Sequence, residues 1–143
     1  MSAQWMDMRI QEEQDRRRKE AKTLSLMPKG LEELHALLTA CIEKYKEAFG
    51  PESADITNLI SKLRITVREE QGGKWQPRAK VDVSLVSIPP AFKVERGETE
   101  AQMIEISLLP GDRLAFRLDD QYLTAEDLSK KILDRALFPK LAE

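Results

Sequence analysis

Apolar and polar positions divide the chain into two regimes. Before about residue 60 the apolar side chains recur at three- and four-residue spacing, the period of a helix. From 63 to 118 they recur at every second position, the period of a strand with one face buried.

The segment 3–22 reads as a helix of unusual composition. Trp5, Met6, Met8 and Ile10 crowd its start, whereas between Gln11 and Lys22 only Ala21 is apolar. Glu12–Arg16, Glu13–Arg17 and Asp15–Lys19 stand at i,i+4 with the acid first. That order contributes about 0.2–0.5 kcal/mol per pair to helicity. The second half of this helix has nothing to bury, so it must project from the body or lie on a polar partner surface. In the stretch Thr23-Leu24-Ser25-Leu26-Met27-Pro28, Pro28 lacks an amide proton, which predicts a kink or short connector there.

A second helix is predicted over 29–49. Leu31, Leu34, Leu38, Cys41, Ile42, Tyr45 and Phe49 share one face, and Gly50-Pro51 ends it. Ile56, Leu59, Ile60 and Leu63 suggest a helical turn within 52–61 that runs directly into a strand.

Strands then follow over 63–67 and 78–86, separated by the turn Gln71-Gly72-Gly73-Lys74, with Pro77 limiting how early the second can pair. Pro89-Pro90 breaks the ladder before a short edge-like segment at 92–95. A hairpin joins 102–108 to 113–118 through Pro110-Gly111-Asp112. The last element is a helix over 125–137, with Thr124 and Asp127 placed as a capping box. The order implies an α+β fold: two N-terminal helices, a four- to five-stranded antiparallel sheet and a C-terminal helix, with the helices on one sheet face. Residues 1–27 would form a charged arm and connector, and 28–143 a single domain.

Composition narrows the range of functions. The chain of 143 residues is 41% hydrophobic and 34% charged, with a formal net charge of −2, which gives no global attraction to nucleic acid or an anionic membrane. A lone Cys41 supports no internal disulfide framework. The charged first twenty residues lack a secretory h-region, and no apolar run could span a bilayer, so a cytoplasmic location is expected.

Few residues invite chemistry. His35 and Cys41, each the only one of its kind, lie six apart on one helix, about 600° of rotation, so they share no line. Adjacent carboxylates such as Glu12-Glu13 and Glu32-Glu33 point apart, and Asp119-Asp120 reads as a solvated turn. No catalytic, metal-binding or cofactor-binding residue is assigned, and an enzyme is the least favoured class.

Three surfaces remain. Alternation places Lys62, Arg64, Arg68, Lys80, Arg113 and Arg117 on the outer sheet face, interrupted by Asp82 and Glu105. Such a face could hold RNA or phosphate, but no aromatic ring alternates onto it for stacking. A pocket between the sheet and the 29–49 helix, near Tyr45, Phe49 and Phe116, would suit a small-molecule carrier or sensor. The strongest signal is Trp5, Met6, Met8 and Ile10, too many large apolar side chains to leave in water. They predict docking on the same domain, on a second copy or on another protein. The leading expectation is a non-enzymatic interaction module that pairs with itself through this helix.

Overall fold

The computed structural model describes residues 3–97 and 99–141. One antiparallel sheet of seven strands and two helices make an α+β fold. Helix α1 spans Gln4–Phe49; β1 to β7 are Ala54–Leu59, Lys62–Gln71, Lys74–Ser87, Pro90–Glu95, Gln102–Leu109, Arg113–Leu118 and Gln121–Leu123; α2 spans Ala125–Leu137. The strands pair in chain order, so the sheet is an uninterrupted meander.

The first correction concerns α1. The expected pair of helices with a connector at 23–28 is one unbroken helix of 46 residues, about 69 Å long at 1.5 Å per residue. Pro28 sits inside it and removes one backbone bond. Continuity is held by what surrounds the proline. Met27 and Gly30, on either side, are buried against the body. A Cβ at Gly30 would stand 2.9 Å from Leu114 Cδ1, so glycine lets the helix lie close on β6.

The second correction is strand number. Residues 54–59, expected as a helical turn, form β1. It pairs with β2 from Ala54↔Val67 to Leu59↔Lys62. Ladder bonds and full burial of Ala54 outweigh a chance helical spacing of Ile56, Leu59 and Ile60. At the other end, Asp119 and Asp120 both adopt positive φ (50° and 63°), which makes a two-residue hairpin turn into β7.

The alternation from 63 onward holds in the structure. Leu63, Ile65, Val67, Val81, Val83, Phe92, Val94, Ile104 and Ile106 form one buried face, sharing a core with Leu34, Leu38 and Ile42 of α1 and Leu128, Ile132 and Leu133 of α2. The capping box at α2 is present: the Asp127 amide donates to Thr124 Oγ1 at 3.0 Å, and the Thr124 amide to Asp127 Oδ2 at 3.2 Å.

β3 begins four residues earlier than expected and meets Pro77 with a bulge. Val67 pairs with Ala79 but Arg68 with Pro77, which leaves Arg78 as the extra residue. The bulge sends the Arg78 side chain toward the helices, where its Nη2 donates to the Ala136 carbonyl at 2.9 Å.

Candidate interaction surface

The first nineteen residues of α1 form an arm. Burial along the helix begins only at Thr23, and among the described residues the arm's one polar tie to the body is Lys22 to Asp112, 3.6 Å. Over the segment from Gln4 to Lys22 this is a rod of about 28 Å.

At its tip Trp5 is 65% exposed, Met6 42%, Met8 63% and Ile10 48%. At about 100° per residue these four cover an arc of roughly 200°, so they make an apolar cap rather than a stripe. None of them docks on the body of its own chain.

Behind the cap the arm is held by its own charges. Glu13 accepts from Arg16 Nε at 2.6 Å and from Arg17 Nε at 3.2 Å. Arg16 also reaches Glu20 at 2.7 Å, Arg9 reaches Glu12 at 2.8 Å and Arg18 reaches Asp15 at 3.0 Å. Of the three i,i+4 pairs expected, Glu13–Arg17 forms, while Glu12 and Asp15 take partners three residues away. The Arg16 hydrogen bond, with help from Arg17, lowers the Glu13 carboxyl to about 2, and the same contact raises Arg16.

The outer sheet face is less basic than its residue types suggest. Arg64 faces Asp82 across β2 and β3, Nε to Oδ1 2.9 Å, and Lys62 reaches the same carboxylate at 3.3 Å. Arg68 pairs with Asp55 at 2.6 Å, and Arg117 donates to Glu105 at 2.9 Å. Among the described residues Lys80 and Arg113 are in no ion pair.

Tyr45 and Phe49 meet, but Phe116 lies apart from them. Tyr45 lies 4.7 Å from Phe49 and 5.7 Å from Phe138, ring to ring, near the C-terminal ends of both helices. Phe116 stacks on Phe92 at 5.6 Å. Leu38, Ile42 and Phe92 are at most 1% exposed and occupy the space between helix and sheet where a pocket was expected. Phe49, expected on the buried stripe, is 55% exposed.

A cleft of about 980 Å³ does open elsewhere, between β3, β7 and α2, with Arg96, Gly97, Thr99 and Glu100 beside it. Arg78 and Arg96 line it, and both donate to backbone carbonyls of α2, Arg78 at its C-terminal end and Arg96 one turn earlier. Arg96 Nη1 and Nη2 donate to the carbonyls of Ile132 and Lys131 at 2.8 and 2.7 Å, and Arg78 to those of Ala136 and Leu137. Burial and then the Arg135 charge lower Arg96. Sequence alone carries no mark of these two roles, since each joins residues more than thirty positions apart. Pro77 was the one hint of irregularity beside Arg78.

His35 and Cys41 are half-buried on α1. Among the described residues no group of three or more His, Cys, Asp or Glu side chains is placed to hold a metal, and no helix is long and apolar enough to cross a membrane. No protein-family model, curated protein or solved structure matches the chain.

Proposed function

We propose that this chain is a non-enzymatic assembly module whose copies join through the N-terminal arm. The observation that carries the reading is the cap of Trp5, Met6, Met8 and Ile10, exposed at the end of a rigid helix. Each such side chain contributes about 1.5–3 kcal/mol when fully buried, and tryptophan is enriched among binding hot spots. A partner therefore has much to gain at this tip.

A second copy suits the arm's charge. Arg9, Arg16, Arg17, Arg18, Lys19 and Lys22 stand against Asp7, Glu12, Glu13, Asp15 and Glu20, so two arms meet with little net repulsion. A nucleic-acid partner would favour a marked basic excess, and six basic against five acidic residues do not supply one.

The test is light scattering on the full chain and on a version beginning at residue 23. The full chain is expected to have at least twice the monomer mass and the shortened one the monomer mass. Trp5→Ala weakens association at least tenfold without lowering the melting temperature. Monomeric mass for the full chain at 100 μM overturns the reading.

A further inference from the structure

We infer that the arms pair antiparallel around a two-fold axis between Asp15 and Arg16, an inference that rests on assembly through the arm. The arm's charge is ordered along its length. Acidic Glu12, Glu13 and Asp15 are followed at once by basic Arg16, Arg17, Arg18 and Lys19. All lie on the part of α1 before Thr23, where burial begins, and although they pair along the helix their side chains stay exposed enough to meet a neighbour.

Orientation follows from this order. In a parallel pair each residue stands level with itself, so Glu12 meets Glu12 and Arg16 meets Arg16, and like charges oppose along the whole contact. In an antiparallel pair centred between 15 and 16, the acidic block of one arm lies along the basic block of the other, twice over. Glu12 stands level with Lys19 and Asp15 with Arg16. A two-fold contact of this kind closes on itself and stops at a dimer.

The same register serves the apolar tip. It brings Trp5 level with Leu26 and Ile10 level with Ala21, and Ala21 is the one apolar residue between Gln11 and Lys22. Leu24 and Leu26 are half-buried at the root of the arm, beside the body. Each tip therefore reaches the other copy's root, where it finds apolar surface on a rigid support. Exposed ion pairs contribute only about 0.2–1 kcal/mol each, so the charges select the orientation and the tip supplies the affinity.

Cross-linking tests the orientation in the full-length chain carrying Cys41→Ala. Asp15→Cys lies near the axis and is expected to give a disulfide-linked dimer on mild oxidation, whereas Met8→Cys does not. Fifteen residues separate Met8 from its counterpart's level position, so spin labels at Met8 are expected at least about 22 Å apart. A dimer in which both cysteines cross-link equally, with Met8 labels about 10 Å apart, overturns the antiparallel arrangement and leaves assembly through the arm standing. A chain that is monomeric with or without residues 1–22 overturns both.

Discussion

Arg64 and Asp82 meet across the second and third strands in a two-pronged contact, Nε to Oδ1 at 2.9 Å and Nη2 to Oδ2 at 3.2 Å. Asp82 is only 7% exposed, and the Arg64 hydrogen bond followed by that from Lys62 holds its carboxyl below the usual aspartate value. A carboxyl lowered by folding adds stability that is complete above its unfolded value near 4 and is lost as pH falls through the folded one. Asp82→Asn is expected to destabilise by about 1–3 kcal/mol at pH 7. The gap from the unaltered protein should shrink when denaturant midpoints are compared at pH 7 and pH 3. A gap unchanged at pH 3 would separate Asp82 from the acid response.

Pro28 lies inside α1, exposed, with its neighbours Met27 and Gly30 buried. Replacing it by alanine restores one backbone bond and removes the ring's conflict with the Leu24 carbonyl. Pro28→Ala should raise stability by about 1–2 kcal/mol, after allowing for a looser unfolded chain. Loss of stability in urea would mean that the helix is interrupted at this point.

Gly50 adopts φ 114° where α1 hands over to the first strand, and the Trp75 ring lies 3.4 Å from the place a Cβ would take. Gly50→Ala is expected to cost about 1–2 kcal/mol, read as a lower urea midpoint with unchanged slope. By contrast Gly72→Ala has no steric neighbour within 4 Å and meets the backbone strain alone.

Arg96 binds two successive α2 carbonyls with its two terminal nitrogens. Arg96→Met should cost about 1–3 kcal/mol and speed hydrogen exchange in the last two turns of α2 more than in β2. Lysine restores little, because one ammonium cannot reproduce the planar fork. Exchange rising equally in both elements would show that the contact does not act locally on α2.

Most of the sheet was legible because period-two burial has no competing explanation in runs such as Leu63, Ile65 and Val67. The helix over 125–137 was legible through Thr124 and Asp127. What misled was punctuation. Pro28 marks a helix break on local grounds, yet Met27 and Gly30 pack well enough to carry the helix through it. The turn at Asp119-Asp120 lacks the glycine that usually signals positive φ, so a three-residue strand beyond it was invisible. Arginines on the outer face were readable as a set, but their carboxylate partners depend on register, which alternation alone does not fix. Exposure of the tip at Trp5 could not be told from docking within the chain, because both satisfy the same local pattern.

The absence of a joint in α1 makes it a lever. From Gly30, seated on the sheet, to Trp5 is about 37 Å of continuous helix. A tilt of 5° at the seat therefore swings the tip by about 3 Å, close to the width of a side-chain contact. The position of the tip consequently gauges how firmly the sheet grips the other end, and loosening the core would be felt at Trp5 before the sheet itself came apart.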